Sequence, residues 1–176
     1  IYLFISFTEV WLSMSFFSFY SALYSDPNFA LAYCGVADYY NWIGIIGVLP
    51  PSECFPPAIE AAKKAVELDS ELPEAHASLG FSLHAGEYDW KGSEHHLKRA
   101  LELSPANAVA TVWYAIVLYT QGRIEEGLKL AELGVELDPM TPFNHHNVGW
   151  GLYFARRYPE AIEGYRHVII DFPSYG

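Results

Sequence analysis

A proline recurs at a fixed interval along most of this 176-residue chain, and that interval constrains the fold more than any other feature. The phrases "RALELSPAN" (99–107), "LGVELDPMT" (133–141) and "HVIIDFPSY" (167–175) place Pro105, Pro139 and Pro173 34 residues apart. Upstream, "KAVELDSEL" (64–72) carries Ser70 in the proline slot and "SALYSDPNF" (21–29) carries Pro27. Proline has no amide donor and disfavours helix in the residue before it, so each phrase reads as a helix end followed by a stop. A period between 20 and 50 residues decides the architecture before any local reading.

Between the stops, small residues recur where two helices must approach closely. They are Ala37, Gly80, Ala115 and Gly149 on the first helix of each unit, then Ser15, Ala58, Ser93, Gly127 and Ala161 on the second. Larger apolar residues stand beside them at helical spacing: Val36, Leu79, Tyr114 and Val148, then Tyr40, Leu83, Leu118 and Leu152. With these positions in register over four copies, the sequence resembles the tetratricopeptide repeat, whose period is 34 and whose unit is two antiparallel helices. The expected fold is all-α, a right-handed superhelical solenoid of antiparallel helix pairs. Expected boundaries are a partial leading repeat over 1–29 (mainly its second helix), repeats over 30–72, 73–107 and 108–141, and a repeat without a capping helix over 142–176.

The 30–72 repeat is about nine residues too long. The excess lies in "IGIIGVLPPSECFPP", where Pro50, Pro51, Pro56 and Pro57 imply an ordered loop between the two helices. The wording of "DPNFALAYCGVADYY" and "EAHASLGFSLHAGEYDW" is also similar to repeat arrays that bacterial signalling proteins carry beside winged-helix, kinase or cyclase domains.

The resemblance implies a concave face lined by first helices. On this chain it selects Trp42, Phe81, His84, Val112, Ile116, Tyr119, Phe143, His146, Trp150, Tyr153 and Phe154 as groove residues for a protein or peptide. No Lys or Arg is among them, which disfavours the carboxylate-clamping mode known in the family and suits a segment with apolar anchors. Basic residues fall instead on second helices and turns, near Glu or Asp, as a solvated outer face does.

Formal charge narrows the partners further. At −11, with only ten Lys and Arg, the chain has no electrostatic footprint for nucleic acid. Cys34 and Cys54 lie outside any CxxC pattern and are expected as buried thiols. Seven histidines include the pairs His95-His96 and His145-His146, but adjacent helical residues point about 100° apart, and no second His or Cys shares either face; no metal or cofactor is expected. No GxSxG elbow, phosphate loop or HExxH occurs, so no enzyme is expected.

The two ends are unusual. Residues 1–24 hold a single charge, Glu9, yet five serines, a threonine and the lack of basic flanks argue against a membrane span. Counting back from Pro27 makes this segment a second helix whose outer face is Phe, Trp, Tyr and Ser rather than charged. The chain closes on "FPSYG" without a polar capping helix. Open apolar ends predict head-to-tail assembly with copies of itself, through Phe16, Phe17, Phe19, Tyr20, Phe172 and Tyr175, into a ring or a filament. The alternative is a peptide-binding adaptor or sensor module of a larger bacterial regulatory protein. A signalling role places the chain in the cytoplasm, and a filament places it outside the cell.

Overall fold

The computed structural model describes residues 16–173, and every regular element among them is a helix. Two compact units divide the chain, Ile1–Leu103 and Ser104–Gly176. In the first unit the helices are α1 (residues 16–25), α2 (Ala30–Ile45), α3 (Pro51–Leu68), α4 (Pro73–Glu87) and α5 (Trp90–Leu103). The second contains α6 (Ala108–Thr120), α7 (Ile124–Leu137), α8 (Pro142–Phe154) and α9 (Tyr158–Asp171).

The helix ends show what the repeated phrase does. Proline halts the helix, but the aspartate before the proline slot closes the turn: Asp26, Asp69 and Asp138 each accept a hydrogen bond from the backbone N–H two residues on, at Asn28 (3.0 Å), Glu71 (3.0 Å) and Met140 (3.2 Å). Aspartate favours this local bond over a helical one. Where serine replaces aspartate, at Ser104, Asn107 caps the next helix by accepting from Ala110 N at 2.9 Å.

Each unit's core follows from these fixed ends. In the first, Val36 and Ala37 of α2, Ile59, Ala61 and Ala62 of α3, and Leu79 and Leu83 of α4 form one buried cluster. In the second, Ala115 and Tyr119 of α6 meet Leu128 and Ala131 of α7, Leu152 of α8 and Ala161 of α9. The small positions among the described residues, which leave out Ser15, are buried where α-helices cross: a Cβ on Gly80 would stand 2.7 Å from Leu97 Cγ. Both cysteines are free and buried, and burial pushes the Cys34 thiol well above its usual range.

The expectation of a proline loop is corrected. Only Ile46 to Pro50 is non-helical, and α3 starts at Pro51 and continues through Pro56 and Pro57. Proline's φ is already helical, but at the sixth and seventh positions of α3 the two rings remove amide donors that a helix would use. Burial of Cys54 and Phe55 compensates, with the Phe55 ring seated against Gly44 and its Cβ against Gly86.

A second period-34 feature lies in the turns between helices. Tyr88, Gly122 and Arg156, each 34 residues from the next, have φ of 55°, 78° and 60°. The following N–H returns to the helix, from Arg123 to Leu118 O and from Arg157 to Leu152 O, both 2.9 Å. Glycine adopts this left-handed backbone freely, whereas a residue with a Cβ does not. Tyr88 is 76% exposed, so burial of its side chain does not offset the strain. Replacing Tyr88 or Arg156 with Gly is therefore expected to stabilise the fold by about 1 kcal/mol, and Gly122→Ala to destabilise it by a similar amount. Urea midpoints of the three variants against the parent chain check the sign.

Candidate functional site

The two units differ on the first-helix face where the groove was expected. In the first unit that face is polar and closed. Ser78 Oγ donates to Asp38 Oδ1 at 2.7 Å, and Ser82 Oγ lies 3.0 Å from Asn41 Oδ1 and 2.8 Å from Ser78 O, tying α2 to α4. Phe81 and His84 are buried beside this seam with their rings 6.3 Å apart, and burial holds the His84 imidazole below its usual pKa. Trp42 is half-buried.

In the second unit the face is aromatic and partly open. Phe143, His146, Trp150 and Phe154, spaced three, four and four residues apart, share one stripe of α8. Their rings follow one another: Phe143 to His146 at 6.2 Å and nearly parallel (7°), His146 to Trp150 at 5.7 Å, and Trp150 to Phe154 at 6.2 Å. Tyr153 continues the patch from Phe154 (5.8 Å) to Tyr158 (5.7 Å). Tyr153 and Phe154 are 54% and 45% exposed. The stripe rests on a rigid base, because Tyr119 donates to Asn147 O at 3.3 Å while Asn147 Nδ2 donates to Val112 O at 3.3 Å. Burial lowers the His146 pKa, favouring a neutral ring in the stack.

The structure therefore separates the expected groove residues. Phe143, His146, Trp150, Tyr153 and Phe154 form one patch, with Ile116 half-buried on α6. The expectation that Phe81, His84, Val112 and Tyr119 offer groove surface is corrected: all four are buried in packing. The expected assembly residues also divide. Phe16 packs on Tyr39 at 4.5 Å and Phe19 lies against Gly35, so both face inward onto α2; as exposed joint residues they are corrected. Phe17 and Tyr20 are exposed, Phe172 rests 5.4 Å from His145, and Tyr175 lies outside the described residues.

Three arginines of the second unit pair locally. Arg123 pairs with Glu126 at 2.7 Å, Arg157 with Glu160 at 2.6 Å and Arg166 with Glu163 at 3.5 Å, all i,i+3 pairs on exposed surface. Sequence reasoning missed one pairing altogether: His76 of α4 and His96 of α5, 20 residues apart, meet through their Nδ1 atoms at 2.8 Å. Among the described residues no group of three or more His, Cys, Asp or Glu is disposed to hold a metal ion, and no helix is long and apolar enough to cross a membrane.

Asp38 carries the one strongly shifted carboxyl of the first unit's seam. Burial raises it from the ordinary 3.8 to about 6, against the opposing pull of the Ser78 hydrogen bond, with the Glu74 charge adding to the rise. A folded pKa above the unfolded one means that the native state keeps this proton longer as pH rises. The stability it contributes is fully present below about pH 4 and is lost as pH passes 6. Asp38→Asn should therefore gain stability relative to the parent between pH 4.5 and 7.5, by about 1–2 kcal/mol, as read from urea midpoints at the two pH values.

Comparison with known proteins fits this geometry. A tetratricopeptide-repeat family model matches residues 84–142. The transcriptional regulator HilA of Salmonella typhimurium strain LT2 is 28% identical over 139 residues, 78% of this chain but 25% of that protein; the protein O-mannosyl-transferase Tmtc1 of Drosophila melanogaster is 31% identical over 108 residues, 60% of this chain and 12% of that one. The chain thus spans about a quarter or less of the length of these relatives. Among solved structures, the thermophilic TPR protein TTC0263 of Thermus thermophilus aligns with a TM-score of 0.77 at 17% identity over 98% of this chain and 90% of that one. YrrB, described as a TPR protein with an unusual peptide-binding site, aligns at 0.58 and 23% identity over 97% and 82%. Residues 84–142 thus match the tetratricopeptide-repeat family, and the helix pairs of both units have the fold of tetratricopeptide-repeat solenoids.

Proposed function

We propose that the second unit binds an apolar segment of a partner protein along the α8 stripe. Tetratricopeptide repeats are protein-interaction modules and generally non-catalytic, so the open question is which surface this chain uses. The observation that carries the proposal is the ring-to-ring run from Phe143 to Phe154, supported from below by Asn147 and Tyr119 and half open to solvent. Rigid aromatic surface concentrates binding energy, and this stripe carries no Lys or Arg of its own. A helix or extended strand with two or three apolar anchors at matching spacing suits it. The peptide-binding description of YrrB supports the same class of ligand. Because the anchors are apolar, affinity should depend little on salt.

Self-assembly is a second reading, favoured by α9. Its Tyr158, Ile162, Tyr165 and Ile169 stand one period after Ile124, Leu128, Ala131 and Val135 of α7. On α7 this face is packed under α8, with Leu128 and Ala131 buried, whereas Ile162 and Ile169 are 53% and 62% exposed and Ile170 beside them 71%. An α8-like helix from a second copy would continue the packing of the preceding repeat.

The two readings separate in one set of measurements. A fluorescein-labelled peptide with Leu or Phe anchors at i, i+3 and i+7, selected from a displayed library, should lose tenfold or more in affinity with Trp150→Ala or Phe154→Ala, and change little with Ile169→Ser. Light scattering across concentrations should show a discrete species whose mass falls with Ile169→Ser only if α9 is a joint. Peptide binding that is indifferent to both stripe variants counts against the proposal.

A further inference from the structure

In the first unit, the imidazoles of His76 and His96 face each other through Nδ1 at 2.8 Å, while His76 Nε2 lies 3.0 Å from Ser70 O. A carbonyl only accepts, so Nε2 of His76 carries a hydrogen. In the neutral ring Nδ1 is then bare, and it accepts from the Nδ1–H of His96. A buried imidazole thus aims an unprotonated nitrogen at a second imidazole, with its far N–H tied to a backbone carbonyl. That tether is how metal-ligating histidines are held in one tautomer and one orientation.

We propose that His76 and His96 form a two-imidazole site for a divalent transition-metal ion, binding α4 to α5. The proton between the rings moves through solvent to His96 Nε2, which leaves both Nδ1 atoms as ligands and releases no net proton from the neutral pair. Metal–nitrogen bonds of 2.0–2.1 Å at a tetrahedral angle set the two nitrogens about 3.3 Å apart, roughly half an ångström wider than they now stand. His76 is buried and fixed, whereas His96 is half-buried on α5, so the ion enters from the His96 side. The described residues provide no third ligand from His, Cys, Asp or Glu, and solvent completes the shell. Imidazole donors suit Zn, Ni and Cu rather than Mg or Ca.

Tag-free protein titrated calorimetrically with ZnCl2 and NiCl2 tests the site. One ion per chain is expected, weakened at least tenfold by His96→Ala and changed less than twofold by His95→Ala, His145→Ala or His167→Ala, with circular dichroism confirming that the variants fold. Independently of any variant, imidazole-nitrogen NMR of the parent chain should show the zinc-induced change at Nδ1 of His76 and His96. The proposal is overturned if binding follows His145 or His167, if His96→Ala binds as well as the parent, or if the two Nδ1 signals do not move with zinc. In that case the pair is a hydrogen bond alone.

Discussion

Everything in this fold depends on where each helix stops. A helix that overran its repeat by one residue would turn the next by about 100° and carry its small residues out of the crossing point. The aspartate turns at Asp26, Asp69 and Asp138 prevent this, and Asn107 does the same work where aspartate is missing. With ends fixed, Ala37, Ala115 and Ala161 arrive at the contacts in phase, and their lack of bulk lets the backbones close. The hydrophobic cores are therefore a consequence of the joints.

Repeat architecture was legible because it is written in short-range chemistry at a constant period. What was not legible depends on depth or on distance in sequence. Pro56 and Pro57 break helices in isolation, but the burial of Phe55 between Gly44 and Gly86 overrides that tendency. The uncharged leading segment suggested an exposed joint, yet Phe16 and Phe19 turn onto Tyr39 and Gly35, since the nearest apolar surface was already in the chain. A groove list inferred from repeat position cannot tell a side chain that lines a surface from one that plugs it. Phe81 and Phe154 show the difference, one buried and the other half open. His76 and His96 are separated by 20 residues with no motif between them, and only the antiparallel return of α5 on α4 brings them together.

The two units use one scaffold in opposite ways. Serine, asparagine and aspartate hold α2 and α4 together through hydrogen bonds, which is a specific but unyielding contact. At the same positions of the second unit stand Ile116, Tyr119, Asn147 and Gly151; α6 and α8 are tied there by Tyr119 and Asn147, and the α8 rings stack beside that contact with part of their surface open. A change in a few first-helix residues thus separates a polar seam from a partly open aromatic face.

The aspartate turns have one more effect. Each is closed by a bond between residues only two apart, and the next helix adds a second tie from six residues on, Tyr33 to Pro27 O, His76 to Ser70 O and His145 to Pro139 O, so every joint is fixed within a few residues of itself. Such a chain can lengthen one repeat, as it does between Ile45 and Pro51, or gain and lose whole repeats by duplication, while the remaining joints keep their geometry.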